Sequence, residues 1–218
     1  MASGETRDPE PGAGIRTKHK HRDRLIRLAA QQPAWVLGYL DECGGSRLQP
    51  PAMHAWTAGE PLRLQQLSAP KPAPGPKALA CYGLLRGDTQ AIWLRFVAGR
   101  PVSHVTTAYL AWGCERWADE GTRALLLIWD NASWHIARAV RPGRKAHHRQ
   151  AKREGGVRAV ACRLPVTSPW LNPIEPQWVH GTRAVAEPAR LLPAQELVMR
   201  VYTYYGSEPW PPLAQDVP

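Results

Sequence analysis

Apolar residues fall into short runs divided by polar, Pro- and Gly-rich stretches, and the length and period of each run predict an element. Residues 34–41 (AWVLGYLD) form an aromatic-rich run of strand length, ended by the Gly44-Gly45 turn signal. A short amphipathic helix over 23–31 precedes it. Weaker strands are predicted at 54–57 and 62–67, and the Pro-rich stretch 68–77 (SAPKPAPGPK) is a loop, since proline cannot sit in a central strand. The runs 78–85 and 91–97, parted by RGDTQ, predict a hairpin. Between 102 and 119, Val105, Ala108, Tyr109, Trp112 and Trp117 recur at near-helical spacing. The most hydrophobic run, 124–129 (ALLLIW), predicts a buried central strand. A helix follows over 133–153, interrupted near Pro142-Gly143, then a strand at 157–162. A helix opened by Pro173 runs to about Val185, and a last one covers 193–205. This order predicts an α/β domain with a mixed β-sheet flanked by helices over 25–206. Segment 1–24 reads as a disordered basic arm whose KHKH stretch could touch phosphate but reads first as a solvated tail, and 207–218 as a Pro-rich disordered tail.

Charge adds a partner to this picture. The 218 residues carry Lys+Arg 28 against Asp+Glu 18, a net +10, which favours a polyanion, nucleic acid first. A hydrophobic share of 44% is enough for a core and excludes wholesale disorder. No apolar run approaches the roughly 20 residues that span a bilayer. The basic first 24 residues hold no apolar signal core, so no membrane partner is expected and the location is cytoplasmic, beside the nucleoid. Cys43, Cys81, Cys114 and Cys162 lack the paired spacing of zinc ribbons or disulfide scaffolds and read as reduced thiols.

Three acids stand in unusual places. Asp41 ends the first apolar run, Asp130 ends ALLLIW, and Glu175 lies in the first turn after Pro173. A carboxylate at the end of a hydrophobic strand is costly to desolvate unless it meets water, a donor or a metal. Strand ends also face the crevice where α/β domains place their sites. Each acid has a plainer account as well. Asp130 suits an N-cap, Glu175 completes a capping box with Asn172, and Asp41 suits a turn.

Taken together, Asp41-Glu42-Cys43-Gly44, WDNASWH (129–135) and SPWLNPIEPQW (168–178) resemble the catalytic domain of mariner-type DDE transposases, bacterial insertion-sequence branch. The resemblance covers about 25–205 and implies a ribonuclease-H-like fold, shared with retroviral integrases. It implies Asp41, Asp130 and Glu175 as catalytic, metal-ligating acids, with Glu42 turned to the other face by strand alternation. Asn131, His135 and Asn172 are implied as supporting residues. The cofactor implied is Mg²⁺ or Mn²⁺, as two ions. Such ions prefer oxygen ligands, and a pair about 4 Å apart activates a nucleophile and stabilises the leaving oxygen of an in-line displacement. The expected activity is DNA strand cleavage at transposon ends and strand transfer to target DNA.

Residues 141–163 hold eight Lys/Arg and one Glu, +7 of the net +10, between the second and third acids. Arg144, Lys145, Arg149, Lys152 and Arg153 are the candidate DNA contacts. Trp134 and Trp170 are candidates for base stacking, and Trp178 for the core. Family members carry an N-terminal helix-turn-helix that reads transposon ends, and only 40 residues precede Asp41. The expectation is a truncated copy or the second frame of a split gene, with an upstream helix-turn-helix polypeptide as partner and a homodimer pairing the ends. Two other readings share these features. One is a catalytically silent, DNA-binding relic, and the other a stand-alone ribonuclease-H-like nuclease.

Overall fold

The computed structural model describes residues 13–47, 58, 78–132, 135, 140–166, 168–186 and 191–214. In chain order the elements are α1 (Ala13–Gln31), β1 (Trp35–Ser46), β2 (Ala78–Arg86), β3 (Ile92–Ala98), α2 (Ser103–Asp119), β4 (Ala124–Trp129), α3 (Val140–Glu154), β5 (Arg158–Arg163), α4 (Glu175–Val185), α5 (Ala194–Tyr205) and β6 (Leu213–Ala214). A single 3₁₀ turn, Pro169–Leu171, precedes α4. The expected strands at 54–57 and 62–67, and the Pro-rich loop, lie outside the described residues.

The six strands form one mixed sheet in the order β5-β4-β1-β2-β3-β6. β1, β2 and β3 run antiparallel, while β4 and β5 join β1 in parallel. All six residues of β4 are buried, as the unbroken apolar run predicts for a strand covered on both faces. Alternation along β1 divides its side chains between two cores. Val36 and Leu40 pack with Leu125, Leu127, Trp129 and α2. Leu37 turns to the other face, with Leu126, Ile128 and Cys162 beneath α1. Tyr39 and Cys43 share that face, and farther along it Cys81, Leu94 and Phe96 pack against Ile174, Trp178 and Tyr202 around α4 and α5. Helices α1, α4 and α5 thus cover one face and α2 the other, with α3 packed on α2 and β5. This is the mixed-sheet α/β architecture expected of a ribonuclease-H-like fold.

Four expectations are corrected. β1 does not stop at Asp41 or at the Gly44-Gly45 signal. It runs to Ser46 because β2 pairs with it throughout, from Gly38↔Arg86 to Ser46↔Ala78. Pairing with β4, by contrast, ends at Tyr39↔Ile128, so Asp41 lies just beyond the point where β1 loses its parallel neighbour. Second, α1 begins at Ala13, taking in half of the segment 1–24 expected to be disordered. Its Leu25 is buried, and Ile26, Leu28 and Ala29 pack over β4 and β5. Burying one such leucine is worth about 1.5–3 kcal/mol, enough to carry a polar helix that would be marginal alone. Third, α3 passes through Pro142-Gly143 without interruption. Pro142 sits in its first turn, where its missing N–H would have no helical partner. Fourth, the tail expected to be disordered includes β6, which pairs with β3 at Val97↔Leu213. Trp210 rests on Trp112 and under Arg116, and Arg95 donates to the Pro211 carbonyl. Among the described residues no helix is long and apolar enough to cross a membrane.

Candidate active site at the end of the central strands

The three acids proposed from sequence come to one end of the sheet. Asp41 is carried by β1 just past the β4 pairing, Asp130 follows directly on β4, and Glu175 is the first residue of α4. Their charges act on one another. Burial, then the charges of Glu175, Glu42 and Asp130, push the Asp41 carboxyl up to about 7. Burial and the Asp130 charge likewise raise Glu175. Two acids whose ionisation is disfavoured by burial and by a nearby charged carboxylate are the electrostatic mark of a candidate cation site.

Asp41 is 7% exposed, and its Oδ2 accepts a 2.9 Å hydrogen bond from the Trp178 indole of α4. Room for that indole comes from Gly83, directly opposite Asp41 in the β1–β2 register. A Cβ at Gly83 would collide with the Trp178 ring and stand 3.1 Å from Ile174 Cδ1. Gly83→Ala is therefore expected to cost about 1–3 kcal/mol by overpacking and to unhook Trp178 from Asp41. Denaturant unfolding checks this, and an unchanged midpoint would refute it. The expectation that Trp178 belongs to the core is met, while Trp170 is 74% exposed and Trp134 lies outside the described residues.

Asn172 ties α4 to β1 a second time. It is 1% exposed, and its Nδ2 donates to the Leu40 carbonyl at 3.0 Å, beside Asp41. Its main-chain carbonyl accepts the Glu175 N–H at 3.1 Å, but its side chain does not cap α4, whose N-cap residue is Ile174. Asn172 therefore aims Glu175 by anchoring the preceding turn rather than through a capping box. Asn131 acts similarly on the other side. Its Nδ2 donates to Leu164 at 2.6 Å, joining the end of β4 to the residue after β5.

Asp130 and Glu42 are joined through His135. The imidazole donates from Nδ1 to Asp130 Oδ1 and from Nε2 to Glu42 Oε1, both at 2.7 Å. It stacks on Trp129 at 4.7 Å, with its side chain 0% exposed. Burial opposes its protonation, yet the two carboxylates outweigh burial and raise His135 to about 9. Burial also works against the Asp130 charge, but the His135 and Ala132 N–H donors hold this carboxyl below the usual range. Both donors use Oδ1, so Oδ2 faces no donor among the described residues, and the side chain is 40% exposed. Alternation does send Asp41 and Glu42 to opposite faces, as expected. Even so, Glu42 enters the site, because His135 reaches around the end of β4 to meet it. The only sequence signal for that link is the DN…H spacing itself.

The donor chemistry suits a hard divalent ion: carboxylate oxygens, one of them without a donor on a half-exposed side chain and two raised by burial and neighbouring negative charge. The acids are not drawn tightly together, however. Among the described residues no three His, Cys, Asp or Glu side chains stand close enough to hold one ion unaided. Lys145, Arg149, Lys152 and Arg153 lie exposed along α3, and the Arg144 side chain lies outside the described part.

No protein-family model matches the sequence, and no match was found among curated proteins. Solved structures do match. The Mos1 mariner paired-end complex with Mn superposes with a TM-score of 0.60 at 15% identity, over 96% of this chain and 59% of that one. The Mos1 paired-end complex with the left transposon end gives 0.57 at 14%, again over 96% and 59%. The catalytic domain of Mos1 mariner transposase alone gives 0.55 at 12%, over 93% of this chain and 85% of that one. The chain thus spans 59% of the length of the Mos1 chains in the two complexes. It has the ribonuclease-H-like fold of a mariner transposase catalytic domain.

Proposed function

We propose that this chain is the catalytic part of a mariner-type DDE transposase, cutting DNA strands and joining the freed 3′-OH to a target. The observation that carries the reading is the convergence of Asp41, Asp130 and Glu175 on one end of the sheet, where burial, helped by the Asp130 charge, raises the other two carboxyls. Asp41, Asp130 and Glu175 would hold Mg²⁺ or Mn²⁺, in a pair, with phosphate oxygens of the substrate completing the ligands. When bound, such ions activate the attacking hydroxyl and stabilise the leaving oxygen. The protein's own residues fix geometry. Asn172 and Trp178 lock α4 to β1, His135, itself held by Glu42, engages Asp130 Oδ1 and leaves Oδ2 without a donor among the described residues, and Asn131 fixes the chain after β4. The exposed cations Lys145, Arg149, Lys152 and Arg153 of α3, with Arg144, offer phosphate contacts, and exposed Trp170 a face for an unstacked base. Transposon ends, target DNA, a second protomer and a helix-turn-helix polypeptide are the partners this reading requires.

The test is nicking of supercoiled plasmid by the full chain. Nicked product with Mn²⁺ or Mg²⁺ and none in EDTA is expected. No cleavage of plasmid or end-bearing duplex under any divalent ion would overturn the catalytic reading in favour of a DNA-binding relic. Cleavage confined to RNA–DNA hybrids would favour the stand-alone nuclease.

A further inference from the structure

Helix α1 carries six Lys/Arg and a single acid, Asp23. Two of its cations are engaged. Lys18 Nζ donates to the Leu164 carbonyl at 3.0 Å, and Arg22 pairs with Asp23 at 2.8 Å. The other four, Arg16, Lys20, Arg24 and Arg27, are exposed and fall at i, i+4, i+8 and i+11, one stripe of the helix. No carboxylate among the described residues pairs with any of them. The opposite side holds buried Leu25 with Ile26, Leu28 and Ala29, which fixes the stripe outward.

Folding does not account for this row. Like charges at i, i+4 each destabilise a helix by about 0.2–0.5 kcal/mol, and the row contains two such pairs, Arg16–Lys20 and Lys20–Arg24. Its place does offer an account. α1 lies on the sheet face that carries Asp41 and α4. The Leu164 carbonyl that receives Lys18 is the same one that receives Asn131, the neighbour of Asp130. At 1.5 Å per residue the row spans about 16 Å, the axial rise of roughly five phosphates of one strand.

We infer that the Arg16–Lys20–Arg24–Arg27 row of α1 is a phosphate-backbone contact surface for duplex DNA, leading to the carboxylate cluster. The inference rests on the reading of the chain as a DNA-cutting domain, and it adds a surface separate from α3. The row binds backbone without reading bases, so it contributes salt-sensitive affinity of any sequence.

The experiment measures fluorescence anisotropy of a labelled 40-base-pair duplex of arbitrary sequence against the full chain, in EDTA, across a salt series. Removing the four cations together (R16Q, K20Q, R24Q, R27Q) is expected to make the log K–log[salt] slope shallower by about 3–4, at roughly 0.9 per phosphate contact. R123Q, which removes an exposed cation at the other end of β4, is expected to leave the slope nearly unchanged. Circular dichroism is expected to show retained helix, and the pair R16Q/K20Q alone a slope change near half as large. A parental slope in the folded quadruple variant, or a loss per charge no greater than that of R123Q, would overturn the surface. Weaker binding by the variant, when neither protein nicks plasmid, would uphold the surface and sink the catalytic reading instead.

Discussion

Asp130→Asn and Glu175→Gln proteins are expected to lose divalent-ion-dependent nicking by at least about 10²–10³-fold, the usual scale for removing one preorganised group that meets transition-state charge. The reason is local to each residue. Asp130 Oδ2 faces no donor among the described residues, on a side chain whose Oδ1 is already committed to His135 and Ala132. Asparagine keeps an acceptor for the imidazole but presents a neutral amide to the cation. Glu175 stands at the start of α4, aimed by the Asn172 anchor, and glutamine removes its charge while preserving its shape. The two substitutions should part on stability. Glu175 is among the charges that raise Asp41, so Glu175→Gln relieves repulsion in the metal-free protein. Its unfolding free energy should rise by up to about 1 kcal/mol, the scale of a partly screened pair. Initial nicking rates and thermal melts measured together check both halves. Parental nicking in either variant would end the assignment of that acid.

The second large effect is expected at Glu42, which sequence alternation placed away from the site. Glu42→Ala leaves Nε2 of a fully buried imidazole without its 2.7 Å acceptor. An unsatisfied buried donor costs about 1–3 kcal/mol, so the protein should melt earlier. Nicking should fall by about 10–100-fold, the range for losing the outer partner of a ligand-orienting group, because His135 then no longer holds Asp130 Oδ1 in a fixed direction. Glu42→Gln keeps an acceptor oxygen and should restore most of the stability but only part of the rate. A purely structural glutamate would recover rate and stability in parallel in the glutamine variant. Glu42→Ala protein that melts and nicks like the parent would show that the imidazole needs no such support.

How far the sequence could be read depended on where each element's determinants lie. β4, α2 and α5 were legible because their apolar pattern is complete within the element itself. The end of β1 was not. Gly44 and Gly45 carry a turn signal, and they stay extended only because Leu79 and Ala80 of β2 pair with them. The start of α1 was hidden for a related reason. The basic, Gly- and Pro-dotted sequence lacks an internal driving force, and the helix is held by Leu25 against a sheet formed later in the chain. Asp41, Asp130 and Glu175 could be singled out from their positions at element ends together with the family resemblance. Asn172 as a support for Glu175 and Trp178 as a core residue could also be expected, but their partners Leu40 and Asp41 could not, because both contacts cross more than a hundred residues.

Those two long-range ties have a consequence for synthesis of the chain. Asn172 meets Leu40 across 132 positions, and Trp178 meets Asp41 across 137. While the chain emerges from a ribosome, β1, β2 and β3 are made long before α4, and until α4 docks, Asp41 lacks its indole partner and Glu175 is absent. The carboxylate cluster is therefore among the last features to exist. A nascent or C-terminally clipped polypeptide carries the basic α1 and α3 sequences without the three acids brought together; on the reading proposed above, it would hold DNA before it could cut it.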